Sequence, residues 1–323
     1  MTEDVTRLGA AYAAFAEKEA ASRSPLYAEL CRGIAQDTAL LEKLAGLPVE
    51  KQQPNLLLAS VKYLFGIARD YPHFCALVND NWDAVIALVM RRRTQTNEPA
   101  RCATLLPLLA RLPQPLALIE VGASAGLCLL PDFYSYDYGG RRLAPSVSVA
   151  SSPVFHCTAN AQTPIPTRNV EVIWRAGLDL SPLDVTNPED AAWLRALVWP
   201  GEGAREQLLD QALAVASQNP VRVVPGDLRH DLPALAAEAP QGATMVVFHT
   251  AVLAYVRDPD DRKAFARTVQ DCGAQWVSNE SATIWDTSGL PPVWGRFVLA
   301  LNGRGLAYTD AHGTAIDWFA PPP

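Results

Sequence analysis

The stretch Leu116-Ala-Leu-Ile-Glu120-Val-Gly122-Ala-Ser124-Ala-Gly126-Leu127-Cys-Leu-Leu130 decides how the chain is read. An aliphatic run closes on an acid, Gly, Ser and Gly follow at alternate positions, and leucines resume. That order describes a strand buried on both faces, a tight turn and the start of a helix. Glycine lets the backbone of such a turn come close to a ligand. The N-terminus of a following helix favours polar or anionic groups.

Upstream of this stretch the pattern is helical throughout. Apolar residues recur at helical spacing in the windows 10–21, 25–34, 56–67, 82–90 and 99–112. Pro113-Gln-Pro115 then marks a boundary, because proline disfavours helix at the residue before it. Residues 1–112 are therefore expected to form an all-helical N-terminal region, and 113–323 an α/β domain. Downstream, Pro131 should shorten or kink the helix after the turn, and the Tyr-, Gly- and Ser-rich residues 134–152 read as an irregular excursion. Strand candidates at 170–174, 221–224, 244–248 and 275–278 alternate with helical stretches at 189–197, 204–217 and 262–271. Such alternation makes a mostly parallel sheet with crossovers. The chain ends differently, with 296–301, 305–309 and 314–319 reading as a C-terminal antiparallel hairpin and its neighbour, joined by Gly-containing turns.

Composition removes several functions. Of 323 residues, 49% are hydrophobic and 19% charged, which supports a sizeable core rather than disorder. A formal charge of -7 argues against a general nucleic-acid partner, since phosphate neutralisation needs a basic face. The six cysteines form no C-x-x-C pair and the five histidines no H-x-x-x-H or H-E-x-x-H pattern, so no metal site is indicated. No apolar run is long enough to span a bilayer, and the N-terminus lacks a basic and apolar leader, so a cytoplasmic location is expected.

Two chemistries fit residues 120–126. As E-x-G-x-S-x-G the stretch resembles the cofactor loop of class I S-adenosylmethionine (SAM) methyltransferases, which are Rossmann-like. As G-x-S-x-G it resembles the nucleophile elbow of α/β-hydrolases, with Ser124 attacking and His312 as a late histidine. Context favours the first. An elbow normally follows several strands, whereas everything before Leu116 is helical, and no HGGG-type oxyanion segment is visible. A third reading is a nucleoside-binding or regulatory protein that kept the fold without the chemistry.

The whole chain is also similar to a bacterial family catalogued as domain of unknown function 2332. The likeness rests on Thr94-Gln-Thr-Asn97-Glu98-Pro-Ala-Arg101-Cys, Leu105-Leu106-Pro107 and the 120–127 stretch. Further support comes from Gly177-Leu-Asp179-Leu-Ser-Pro182, Trp193-Leu194, Trp199-Pro200 and His312-Gly313. The resemblance implies a methyltransferase-like fold and carries no established activity.

Candidate site residues follow from the strand ends, because ligands of open parallel sheets bind at the carboxyl edge. The five candidate strands end at Glu120, Asp179, Asp227, His249 and Glu280. Glu120, Gly122, Ser124 and Gly126 are expected to bind the cofactor SAM, with Asp179 on the ribose and Asp227 on the adenine side. His249 or Glu280 would orient or deprotonate a small-molecule acceptor. Glu98 and Arg101 lie three apart beside a leucine-rich run, with Asn97 as the expected N-cap, and are expected to face the same crevice.

Overall fold

The computed structural model describes residues 2–95, 97–284, 293 and 295–319. Contacts divide the chain into two compact units, residues 1–96 with 187–207, and residues 97–186 with 208–323.

The first unit is helical. Its helices include Glu3–Phe15, Pro25–Gln36, Pro54–Phe65 and Trp82–Arg91, and two that the apolar spacing did not mark, Thr38–Ala45 and Tyr71–Asp80. Side-chain caps start four of them: Thr2 accepts from the Val5 amide, Ser24 from Tyr27, Asp37 from Leu40 and Asp70 from His73. Residues 187–207 join this unit, so the chain does not divide cleanly at 112 as expected. The reason is a set of specific anchors. Trp193 donates to the Arg93 carbonyl at 3.1 Å and Trp199 to Asn55 Oδ1 at 2.6 Å. Arg92 pairs with Asp190 at 2.5 Å, and Lys62 caps the carbonyls of Arg195 and Val198 at 3.1 and 2.8 Å. Both tryptophans are thus core residues with satisfied indoles.

In the second unit the strands are β1 (Leu116–Val121), β2 (Ser135–Asp137), β3 (Arg142–Leu143), β4 (Val154–His156), β5 (Thr158–Ala159) and β6 (Val172–Asp179). They continue with β7 (Arg222–Pro225), β8 (Thr244–Thr250), β9 (Gln275–Ser281), β10 (Arg296–Leu301), β11 (Arg304–Asp310) and β12 (Ala315–Trp318). The main sheet has the order β5-β12-β11-β10-β9-β8-β1-β6-β7, with β7, β6, β1, β8 and β9 mutually parallel. β10, β11 and β12 are antiparallel, so the C-terminal end is a meander built outward from β9. No strand precedes Leu116 among the described residues. The chain is therefore α/β, with a large mostly parallel sheet, antiparallel C-terminal strands and N-terminal helices.

One expected element is missing. Only short 3-10 turns, Leu127–Leu129 and Pro131–Phe133, follow the turn after β1. Pro131 removes an amide that a continuing helix would need, and the chain instead enters a small sheet of order β3-β2-β4. There is accordingly no α-helix N-terminus behind the 122–126 turn.

Strand alternation splits the main sheet into two chemically different faces. On one, Ile119, Val121, Leu178, Val247 and Trp276 pack with Phe265 and Val269 of the helix Pro259–Asp271. The other carries Glu120, Phe248, Thr250 and Asn279, and its polar members lie at the carboxyl ends of β1, β8 and β9.

Candidate functional site at the carboxyl edge of the sheet

The strand order reverses between β1 and β8, where the chain passes from the β1-β6-β7 half to the β8-β9 half. A crevice at such a reversal is the usual ligand site of an open α/β sheet. Glu120 stands there. It is buried, and its Oε2 has no hydrogen-bond partner among the described residues. Burial raises its pKa well above the ordinary carboxylate range, while the Arg101 charge pulls the other way. Relative to the unfolded chain, the folded protein then holds an extra proton between the ordinary and the raised value. Stability falls as pH rises through that window. Glu120→Gln should therefore stabilise the ligand-free protein at neutral pH and flatten that pH dependence, as denaturation across a pH series would read.

The turn after β1 is packed against protein. Gly122, Ser124 and Gly126 all have positive φ, of 72°, 51° and 72°. A Cβ on Gly122 would lie 2.4 Å from Val252 Cγ2, and one on Gly126 would lie 2.4 Å from Val221 Cγ2. The two glycines thus make room for the valine side chains of Val252 and Val221. The amides of Gly122 and Ala123 donate to the Leu178 carbonyl, Ser124 to Asp179 Oδ2, Gly126 to the Ala123 carbonyl and Leu127 to Asn97 Oδ1. With its amides so occupied, the turn is poorly suited to cradle a phosphate. Ser124 Oγ, by contrast, is buried without a partner among the described residues.

Asp179 closes the neighbouring strand. Its Oδ2 accepts from the Ser124 amide and its Oδ1 from the Ser181 amide, each at 2.8 Å. Asp179→Ala would strand these donors, so a stability loss of about 1–3 kcal/mol is expected without ligand. Asp179→Asn, which keeps one acceptor, should lose less; paired melting curves check the order. Leu180, 62% exposed, follows directly and presents an apolar side chain beside the acid. Asp227 lies just beyond β7 and is bound bidentately by Arg229, Nε to Oδ1 and Nη2 to Oδ2, whose hydrogen bonds and charge lower its pKa. It is thereby committed to a surface ion pair.

Glu98 and Arg101 come to the Glu120 face. Arg101 Nη1 donates to the carbonyl and hydroxyl of Thr250 at 3.2 and 3.1 Å, and its Nε to the Ala311 carbonyl at 2.8 Å. Glu98 caps the turn Pro99–Arg101 through the Ala100 amide, and its Oε2 meets His312 Nδ1 at 3.3 Å. Asn97 is not the cap; its Oδ1 accepts from Leu127 and its Nδ2 has no partner among the described residues. Gly313 lets the β11–β12 hairpin close on this turn, since a Cβ there would lie 2.1 Å from the Ala100 oxygen.

His249 and Glu280 belong to the other face. The Trp276 indole donates to His249 Nε2 at 3.0 Å, which places the ring proton on Nδ1, facing Glu280 Oε1 at 2.7 Å. The same Oε1 accepts from the Val252 and Leu253 amides at 2.8 and 3.2 Å. His249 is fully buried and packs edge-on against Phe265. Both ring nitrogens are engaged, so this pair fixes the β8 loop and is not placed to act on an acceptor.

Asn279 is a residue that strand ends did not reveal. It is fully buried, its Oδ1 accepts from Thr309 at 2.7 Å, and its Nδ2 has no partner among the described residues. A period-two count from Glu280 would have placed it on the opposite face, with Val277. Among the described residues no cluster of histidine, cysteine or acid side chains could hold a metal ion, and no helix is long and apolar enough to cross a membrane.

A family model described as "Uncharacterized protein conserved in bacteria (DUF2332)" matches residues 9–318. No curated protein and no solved structure matches the chain.

Proposed function

The chain belongs to the bacterial DUF2332 family, and we propose that it is a SAM-dependent methyltransferase acting on a small acceptor. The observation that carries this reading is the pairing of two acids at adjoining strand ends. Glu120 and Asp179 flank the Gly122–Ser124–Gly126 turn where the strand order reverses. Further support comes from the occupied amides of that turn, which suit a nucleoside without phosphate, and from Leu180, an apolar surface for a base beside Asp179. The central order β7-β6-β1-β8-β9 is that of a doubly wound sheet. In methyl transfer the sulfonium carbon–sulfur bond breaks as the acceptor's bond to carbon forms. SAM leaves as S-adenosylhomocysteine and the acceptor gives up a proton. Positioning supplies much of such a rate. With His249 and Glu280 turned away, the half-exposed His312, held by Glu98, is the group suited to receive that proton.

The hydrolase reading keeps one observation, the buried Ser124 hydroxyl on a positive-φ turn. No histidine bonds to it, however; His249 is tied to Glu280 and Trp276, and His312 to Glu98. The purified protein should therefore not react with a fluorophosphonate probe. Labelling that disappears in Ser124→Ala would make the serine a nucleophile and end the methyltransferase reading. The same substitution should leave nucleoside affinity within about tenfold, since one modest hydrogen bond is lost at most.

A further inference from the structure

Arg101 is a buried cation bonded only to neutral groups. Its partners are the Ala311 carbonyl and the carbonyl and hydroxyl of Thr250, with the Phe297 ring 5.7 Å from its Cζ. Among the described residues no carboxylate forms an ion pair with it: Glu98, the acid of its own turn, is aimed at His312. A buried guanidinium whose hydrogen bonds all go to neutral groups is costly to keep, and its fork matches the two oxygens of a carboxylate. The carboxamide of Asn279 points to the same patch. Thr250 and Asn279 are register partners on β8 and β9, so their side chains leave the sheet on one face. The Thr309 hydroxyl holds Asn279 Oδ1 and leaves Nδ2, fully buried, as a donor without an acceptor among the described residues.

We infer that Arg101 and Asn279 form a subsite that binds the carboxylate of a small organic acid at the carboxyl ends of β8 and β9. The cation supplies charge and the carboxamide an added donor, the combination that makes charge-assisted recognition strong and directional. The patch lies on the β8-β9 side of the order reversal, across from Asp179 on β6. On the proposed function, that side belongs to the acceptor, which would then be a carboxylic acid. A second source of the same chemistry is the amino-acid carboxylate of the cofactor itself. Only the choice of source rests on the proposed function; the subsite does not.

Acetate and acetamide, alike in shape and different in charge, are the probes. At constant ionic strength, acetate should raise the melting temperature of the full chain in a concentration-dependent way, and acetamide should not. Arg101→Gln should weaken the apparent acetate affinity at least about tenfold, as expected for a lost charge-assisted contact. Should that variant not fold, Asn279→Leu, which removes the amide donor within a similar volume, carries the comparison. Equal effects of acetate and acetamide on the wild type, or undiminished acetate stabilisation in folded Asn279→Leu, would overturn the subsite. Repeating the titration with saturating S-adenosylhomocysteine identifies the source. Additive stabilisation assigns the subsite to the acceptor, and loss of the acetate effect assigns it to the cofactor's carboxylate. If S-adenosylhomocysteine does not bind at all, the proposed function fails while the acetate result stands.

Discussion

His249→Ala should cost about 3–5 kcal/mol of unfolding free energy, read by chemical denaturation, because it breaks a buried polar chain and leaves a cavity. The Trp276 indole loses the acceptor at Nε2, and Glu280 Oε1 loses one of its three donors. All of these groups are buried, so water does not readily replace the lost partner. The remaining two donors to Glu280 come from the Val252 and Leu253 amides, and Val252 is the residue against which Gly122 packs. Loosening that loop should reach the Gly122–Gly126 turn from behind, lowering the affinity of any ligand held there without touching it. A catalytic histidine would give the reverse pattern, a folded protein of ordinary stability with its turnover lost.

Gly313→Ala should be nearly as damaging, at about 2–4 kcal/mol, although it adds a single methyl group. The new Cβ would sit 2.1 Å from the Ala100 oxygen and 2.7 Å from the Arg101 amide nitrogen, and both are backbone atoms. Backbone cannot rotate away as a side chain can. The residue also has a φ of 84°, which disfavours any Cβ. The hairpin and the Pro99–Arg101 turn would be pushed apart, taking Arg101 from the Ala311 carbonyl and His312 from Glu98. Ligand affinity should fall with stability. A variant of unchanged melting temperature would mean that the hairpin does not clamp the turn.

The sheet was legible where sequence signals agreed. Pro113 and Pro115, then six residues buried without exception, mark β1 at Leu116–Val121, the residues observed. Glu120 and Asp179 likewise lie at the ends of β1 and β6, where the polar strand ends were expected. Face assignment was harder to read. β8 is apolar on both sides, with Val246 and Val247 each fully buried, so periodicity alone does not say which face takes His249 and which Thr250. The indole of Trp276 meets His249 on one face and the guanidinium of Arg101 meets Thr250 on the other, and both come from other parts of the chain. The missing helix after the turn is a different case. The leucines at 127, 129 and 130 suggested continuation, but Pro131 and the tyrosines beyond it turn the chain into the β2–β4 excursion. Residues 187–207 look like one more crossover in sequence. Their placement depends on the Arg93 carbonyl, Asn55 and Lys62, about a hundred residues or more away.

The most direct test of the central claim is a calorimetric titration of the wild-type chain with SAM and with S-adenosylhomocysteine. Saturable binding of both is expected, weakened in Asp179→Ala by about ten- to a hundredfold as charge-assisted contacts to the ribose are lost. No heat of binding with either nucleoside at millimolar concentration would contradict it, leaving the fold and the Arg101 subsite without a methyltransferase.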